Sequence, residues 1–192
     1  METPKELPIL PFETQQQWAD WLEKNHAQSD GVWLLMHKKH TNTPSINYAQ
    51  ALEEALCYGW IDGMSKSIDA ATFKQKFTPR RPKSIWSERN TQHIARLTAA
   101  GKMKPAGILE VEKAKADGRW EKAYATSKEA TIPEDFMTAL KKNKKAKAFF
   151  DTLNKQNLFA IYFRLQSAKK PETRAKRIAM FIEMFAKGEK FH

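Results

Sequence analysis

The densest group of chemically active side chains lies between residues 74 and 89. Glu88 is the one acid in this stretch, against six cations: Lys74, Lys76, Arg80, Arg81, Lys83 and Arg89. Pro79 and Pro82 stiffen the chain around the two arginines, so the guanidinium groups lose less entropy when they engage a ligand. Arginine offers a planar fork that suits phosphate or carboxylate. The stretch is therefore a candidate anion site.

Neighbouring residues can complete such a site. Two tryptophans offer stacking faces, and a helix that starts at Ser84 or Ser87 adds free amides and a positive dipole end. We therefore expect at least one of the two arginines to point into a cleft shared with Trp60, Asp62 and Trp86. The predicted anion pocket consists of Arg80, Arg81, Lys83, Ser84, Trp60, Asp62 and Trp86. On this hypothesis, Arg80→Ala and Arg81→Ala abolish binding and leave the melting temperature nearly unchanged.

The same residues also fit a purely structural role. Both tryptophans suit a hydrophobic core, and Asp62 after Gly59 and Trp60 suits a bend. The arginines then pair with Asp62, Asp69 or Glu88 and fix the turn onto a sheet. A second basic run, residues 169–177, flanks a helix start; it is a second candidate anion site, but a solvated helix start is the favoured interpretation. Sequence alone leaves the pocket and the structural role both open.

Periodicity and capping residues predict the elements that must position these side chains. Two capping boxes, Thr14 with Gln17 and Asn47 with Gln50, start helices near residues 12–25 and 48–58. Strands are predicted at Val32–Lys39, Ile61–Ser67 and Thr72–Phe77, the last two as a hairpin. Further helices are predicted from Ser84 or Ser87 to about Ala100, from Pro105, and four beyond Thr131, where Thr131 and Glu134 have capping-box spacing.

These elements predict an α+β fold: a small antiparallel sheet with surrounding helices, followed by an all-helical C-terminal segment without strands. The expected boundaries are 1–125 for the N-terminal α+β domain and 130–192 for the helical segment. The formal net charge of +11 is unevenly spread. Residues 1–128 hold 19 basic and 15 acidic side chains, and residues 129–192 hold 14 and 7. A basic surface of this kind attracts nucleic acid or other anions, and it also favours solubility.

Several kinds of chemistry are not indicated. Cys57 is the only cysteine, is predicted to be buried, and excludes an intrachain disulfide. The histidines lack ligand-spaced partners, so no metal site is expected, and no Gly-x-Ser-x-Gly or phosphate-binding glycine loop occurs. No cofactor is predicted. There is no signal-like leader and no apolar run of about 20 residues, which predicts a cytoplasmic protein without a membrane span.

Five strings make the chain recognisable: LPILPF at residues 7–12, GVWLLMHKK at 31–39, ALCYGWIDG at 55–63, FTPRRPKSIWSERN at 77–90 and KKPETRAKRI at 169–178. Across nearly its whole length the chain resembles the YdeI/OmpD-associated family, also called bacteriocin-protection proteins. The resemblance implies a role in resistance to bacteriocins or antimicrobial peptides, and it brings no reaction, cofactor or catalytic residue. Because like charges repel, a basic protein does not sequester cationic peptides directly.

Three functions are consistent with the sequence. The first is a cytoplasmic stress or resistance accessory protein that binds an anionic ligand at Arg80 and Arg81. The second is a nucleic-acid-binding protein that uses its basic C-terminal surface. The third is an enzyme acting on a phosphorylated or carboxylated small molecule, with Asp62 as acid or base. The sequence indicates no particular oligomeric state.

Overall fold

The computed structural model describes residues 6–126 and 129–191. Within them lie a four-stranded sheet and eight α-helices, with a 3-10 turn at Lys39–Thr41. The elements follow in the order β1 (Ile9–Pro11), α1 (Gln15–Asn25), β2 (Val32–His37), α2 (Tyr48–Cys57), β3 (Trp60–Ser67), β4 (Thr72–Pro79), α3 (Glu88–Ala99), α4 (Pro105–Ala116), α5 (Glu134–Lys141), α6 (Lys144–Phe150), α7 (Lys155–Gln166) and α8 (Pro171–Ala186). The predicted α+β class and the helical C-terminal segment are confirmed.

Local capping chemistry fixes most helix starts. At α1, the Gln17 amide donates to the Thr14 hydroxyl and the Thr14 amide donates to the Gln17 side chain, both at 3.3 Å. Asn47 and Gln50 make the same reciprocal pair at α2, so both predicted capping boxes are confirmed. The third one is wrong. The residue before α5 is Pro133, whose ring cannot accept a hydrogen bond from the first helical amides. Its restricted φ suits the extended residue that precedes a helix.

The sheet has the strand order β1-β2-β4-β3. The predicted hairpin is confirmed as β3 and β4, which pair antiparallel with a register shift between Asp62 and Ser65. The predicted strand at residues 32–39 is β2, which pairs antiparallel with β4. Strand β1 adds a short parallel pairing to β2 that was not predicted. The sheet is therefore mixed, with β3 at one edge and β1 at the other.

One face of the sheet is buried beneath α1 and α2. Alternate β2 residues Val32, Leu34 and Met36 point into this core together with Phe77 of β4, as the two-residue period of a strand requires. Trp18 of α1 lies fully inside and donates its indole N–H to the carbonyl of Ala51 in α2 at 3.0 Å. The opposite face carries the remaining β2 residues, which are half-buried.

Helix α4 packs very closely against the end of α2. A Cβ placed on Gly107 would lie 2.2 Å from the carbonyl oxygen of Cys57, so glycine is required at this position. Cys57 itself is 2% exposed, which confirms the predicted buried cysteine. Burial raises the pKa of its thiol to about 12, so the group is not a nucleophile at neutral pH.

The chain divides into two compact units between Ala123 and Tyr124. The second unit, which contains α5 to α8, has its own core around Phe136, Leu140, Phe181 and Phe185. Beyond residue 131, the described residues contain helices and no strand, as predicted.

Candidate anion-binding site

The basic turn follows directly on β4. The Ser84 amide donates to the carbonyl of Arg81 at 3.0 Å, which closes a turn with Pro82 and Lys83 at its centre. Lys83 has φ 67°, the left-handed conformation that favours glycine or asparagine at this turn position. A side chain held in this region costs about 1–2 kcal/mol. The turn therefore places a lysine where a glycine would avoid this steric cost.

The two adjacent arginines have different surroundings. Arg80 is 7% exposed, and its guanidinium carbon lies 3.4 Å from the ring centroid of Trp86. It also donates to the carbonyl of Ile85 at 3.3 Å and to the Ser84 hydroxyl at 3.4 Å. Arg80 is thus built into the turn as a packing residue, with the stacking and hydrogen bonds of a buried guanidinium.

Arg81, in contrast, is exposed and borders a concavity of about 550 Å³ between the turn and the β3–β4 hairpin. Lys76 and Lys83 line the same concavity. We call this space the Arg81 cavity. The residues that line it are Ile61, Gly63, Met64, Lys76, Thr78, Pro79, Arg81, Pro82, Lys83, Ser84 and Ile85. Over the described part of the chain, the lining contains three cations and no carboxylate.

Part of the lining of the Arg81 cavity is aliphatic, and we call this part the aliphatic wall. Ile61 and Met64 come from β3, and Ile85 comes from the segment after the turn. Met64 and Ile85 are 59% and 39% exposed, which is unusual for large apolar side chains. The hydroxyl-bearing residues Thr78 and Ser84 lie beside the cations. The lining therefore combines cations and hydroxyls with apolar side chains, which suits an anion that carries a hydrocarbon group.

A second concavity, also about 550 Å³, lies on the other side of the turn and includes Arg80 and Lys83 in its lining. Two of the four cations in its described lining are paired with carboxylates. Lys113 pairs with Glu110 at 2.8 Å and Arg119 with Asp117 at 2.7 Å. The Arg119 guanidinium also donates to the Ser84 carbonyl at 2.7 Å. These contacts hold the turn in place and neutralise two of the cations that line this concavity.

The predicted aromatic wall does not form around the Arg81 cavity. Trp60 is 1% exposed, lies edge-on to Trp18, and donates its indole N–H to the carbonyl of His26 at 3.2 Å. Trp86 is 2% exposed and packs on Trp120 with ring centroids 4.9 Å apart. Neither ring is among the residues that line the cavity. The fold needs both rings in its core, as the structural alternative anticipated.

Asp62 is also placed apart from the Arg81 cavity. Its carboxylate accepts a hydrogen bond from the Tyr48 hydroxyl at 2.9 Å and is half-buried. The predicted helix N-terminus lies outside the cavity too, because α3 starts only at Glu88 with Ser87 as its cap. Of the predicted pocket, the structure therefore brings together Arg81, Lys83 and Ser84. The aliphatic wall was missed, although Ile61 and Met64 both lie in the first strand of the predicted hairpin.

A further polar concavity, of about 830 Å³, was not predicted. It is lined by Glu23 and Tyr58 among others, and the Tyr58 hydroxyl donates a short hydrogen bond to the Glu23 carboxylate. This bond and the neighbouring Lys104, whose ammonium lies 3.5 Å away, hold the pKa of Glu23 below its usual value. Burial, with the same hydrogen bond, raises the pKa of Tyr58. A protonated tyrosine and an ionised glutamate can orient a polar ligand, but they do not exchange a proton near neutral pH.

The second basic run is structural in part. The Arg174 guanidinium donates to both carboxylate oxygens of Asp135, at 2.6 and 2.8 Å, and to the carbonyl of Leu165. Arg177 donates to the carbonyl of Arg164 and to the Ser167 hydroxyl. These contacts connect α8 to α5 and α7, so the arginines hold the helical unit together.

No group of three or more His, Cys, Asp or Glu side chains within residues 6–126 and 129–191 is arranged to hold a metal ion. In the same residues, no helix is both long enough and apolar enough to cross a membrane.

Two family models match the chain, one within each of the two compact units. Residues 10–110 match the model described as Domain of unknown function (DUF8412), and residues 129–188 match the model described as Bacteriocin-protection, YdeI or OmpD-Associated. The first match covers more than half of the chain, so the chain belongs to that family. The second match is confined to the C-terminal part. The resemblance seen in the sequence is confirmed for that C-terminal part, while the N-terminal strings fall within a different family. No curated protein and no solved structure matches the chain.

Proposed function

We propose that the protein binds a small organic anion with an apolar body in the Arg81 cavity. The observation that carries the proposal is the lining itself: Lys76, Arg81 and Lys83 surround a space whose described residues include no carboxylate. Three uncompensated cations around one concavity repel each other, and an anion relieves that repulsion. A volume of about 550 Å³ lies within the range of small-molecule sites.

The turn is organised before a ligand arrives. Arg80 is stacked on Trp86 beneath it, and Arg119 donates to the Ser84 carbonyl behind it. Pro82 restricts the backbone at its centre. Arg81 and Lys83 therefore project from a fixed frame, so little conformational entropy is lost from the backbone on binding. The left-handed Lys83 supports the same proposal, because strained residues cluster at ligand-binding sites.

The aliphatic wall sets the class of ligand. Inorganic phosphate would satisfy the cations and leave Ile61, Met64 and Ile85 in contact with water. An alkyl phosphate or a fatty carboxylate also covers these side chains, which contributes about 25 cal/mol for each Å² of apolar surface removed from water. We therefore expect hexyl phosphate to bind more tightly than inorganic phosphate.

Isothermal titration calorimetry with hexyl phosphate tests this proposal. The double variant Arg81→Ala/Lys83→Ala removes two charged donors, each worth about 1.5–3 kcal/mol, and should weaken binding about 150-fold or more. Arg89→Ala is the matched control, because Arg89 is an exposed cation of the same sequence cluster that does not line the cavity. Equal affinities in wild type, the double variant and the control would refute the site.

The family description supports the biological setting of the proposal. The C-terminal part matches a family described by bacteriocin protection, and with a formal net charge of +11 the protein repels cationic peptides. We propose an indirect role as a cytoplasmic accessory protein in which ligand binding at the Arg81 cavity is the molecular event. Loss of resistance on deletion, restored by wild type but not by Arg81→Ala/Lys83→Ala, tests the role. Cell fractionation tests the location.

The enzyme hypothesis receives less support. Its proposed acid or base, Asp62, is bonded to Tyr48 and does not line the cavity. The described lining of the cavity is cationic, hydroxylic or aliphatic, a set that suits the binding of an anion.

A further inference from the structure

The outer face of the sheet carries an aromatic ring among lysines. Residues directly opposite each other on paired strands point to the same side. The β2–β4 register pairs Trp33 with Lys76 and Leu35 with Lys74, and the β3–β4 register pairs Lys66 with Lys74. All five residues therefore lie on the face opposite the buried Val32 and Phe77 of the core. We call them the Trp33 platform.

The three lysine ammonium groups of the platform lie around one indole ring. Their distances to the ring centroid of Trp33 are 4.8 Å for Lys74, 5.8 Å for Lys66 and 5.9 Å for Lys76. Cation–π attraction favours such an arrangement, but only weakly at an exposed site. It does not neutralise the charge, so three positive charges remain concentrated over a half-buried aromatic ring.

No carboxylate among the described residues forms an ion pair with any of these three lysines. Lys66 and Lys74 are direct cross-strand partners, an arrangement of like charges that destabilises a sheet. The nearby Asp69 is engaged elsewhere, since it accepts hydrogen bonds from the amides of Ala71 and Thr72 at 2.7 Å. The hairpin thus retains an electrostatic cost that a polyanion would remove.

Lys38 adds a cation at the hairpin end of the platform, and Lys76 connects the platform to the Arg81 cavity. Toward the hairpin end, the Lys38 ammonium donates to the carbonyl of Asp69 at 2.6 Å and lies beside Ser67. Toward the other end, Lys76 also lines the Arg81 cavity. Lys74 and Lys76 are about 6.7 Å apart along the strand, from the rise of a strand per residue. Several cations around one ring suit a strand with several phosphates better than one small anion.

We infer that the Trp33 platform binds single-stranded nucleic acid. An aromatic ring bordered by cations is the recurring means of holding a single strand, with a base stacked on the ring and phosphates on the cations. Lysine stems are flexible, so a base can replace an ammonium over Trp33 while that ammonium turns to a phosphate. A duplex keeps its bases stacked inside and offers the ring no partner. Lys76 belongs to both sites, but the inference does not depend on the proposed function, because Trp33, Lys66 and Lys74 do not line the Arg81 cavity.

Fluorescence anisotropy with a labelled oligothymidine of about 20 nucleotides tests the inference. Wild type should bind at low salt, and its affinity should fall with salt with a logarithmic slope of about −2 for three phosphate contacts. Trp33→Ala should weaken binding about 5- to 150-fold, the effect of losing one stacked base. Trp33→Leu keeps an apolar cover on the sheet and should show a similar loss. Lys66→Ala/Lys74→Ala should reduce the slope by about 1.4.

Two controls separate this site from the rest of the basic surface. Arg81→Ala alters only the Arg81 cavity and should bind the oligothymidine as wild type does, so the two proposals fail or succeed separately. Lys141→Ala/Lys142→Ala removes two exposed charges from the helical unit and should also leave binding unchanged. The inference is overturned if wild type does not bind at low salt. It is also overturned if the Trp33 variants, folded by their fluorescence and circular dichroism, bind as wild type, or if a duplex binds equally well.

Discussion

Adjacent arginines of the basic turn should respond very differently to truncation. Arg80→Ala removes a buried guanidinium stacked 3.4 Å from the Trp86 ring centroid, which is worth about 2 kcal/mol when desolvated. It also removes hydrogen bonds to Ser84 and Ile85, whose loss adds about 1 kcal/mol at their long distances. We expect unfolding free energy to fall by about 3 kcal/mol. Arg81→Ala truncates an exposed side chain and should change it by less than about 0.5 kcal/mol.

Urea unfolding followed by tryptophan fluorescence measures these stability changes in the unit that contains the basic turn. All six tryptophans lie in the first unit: Trp18, Trp21, Trp33, Trp60, Trp86 and Trp120. The fluorescence transition therefore reports the unit that contains the turn, even if the two units unfold separately. Arg80→Lys is an informative second variant. It keeps the charge but loses the planar stacking, so we expect an intermediate loss of about 1–2 kcal/mol.

Ligand binding completes the comparison of the two arginines. Arg81→Ala should lose affinity for hexyl phosphate at unchanged stability, and Arg89→Ala should lose neither. The sequence led us to expect that both arginine variants would keep a wild-type melting temperature, and the burial of Arg80 revises that expectation. A wild-type urea midpoint for Arg80→Ala, or a large loss of stability for Arg81→Ala, would refute the assignment of a structural role to one residue and a binding role to the other.

Three further variants and reactions test the geometry. Lys83→Gly removes the strain of a left-handed side chain, about 1–2 kcal/mol, and adds about 0.5–1 kcal/mol of backbone entropy to the unfolded chain. Urea unfolding should therefore show a small gain in stability, and calorimetry should show weaker anion binding. A loss of stability of more than about 1 kcal/mol would contradict the strain. Gly107→Ala forces a Cβ to within 2.2 Å of the Cys57 carbonyl oxygen and should cost about 3 kcal/mol or more, whereas Gly63→Ala meets only ordinary contacts and should cost less than about 1 kcal/mol in the same assay. The Cys57 thiol, with its pKa raised to about 12, should react with a thiol reagent at pH near 8 only after unfolding; rapid labelling of the native protein would contradict its burial.

Capping and turn residues predicted the helix starts and the hairpin, because these features depend on residues close together in the chain. The capping residues Thr14 and Asn47 determine where their helices start, and the hairpin follows from two β-rich runs around a short turn. Strand β1 was missed because three residues that end in a proline show no alternation. Its pairing with β2 depends on contacts made across more than twenty residues of chain.

The candidate site was only partly predictable for a related reason. Sequence places Arg80 and Arg81 together, but neighbouring residues at a strand end point in opposite directions, so one is buried and the other exposed. Tryptophans such as Trp60 and Trp86 suit either a stacking site or a hydrophobic core, and only the packed fold shows that both belong to the core. The Trp33 platform was missed entirely, because it depends on the register between strands that lie about forty residues apart.

The central claim is that the Arg81 cavity holds the anionic group of a small amphiphile. The most direct measurement is a titration of isotope-labelled protein with hexyl phosphate, followed by two-dimensional ¹H–¹⁵N NMR. We expect saturable shifts concentrated at the amides of Arg81, Lys83, Ser84 and Ile85 and at the Arg81 guanidinium, and their loss in Arg81→Ala/Lys83→Ala. Shifts that are spread over lysines of both units without saturation, or that persist unchanged in the double variant, would contradict it.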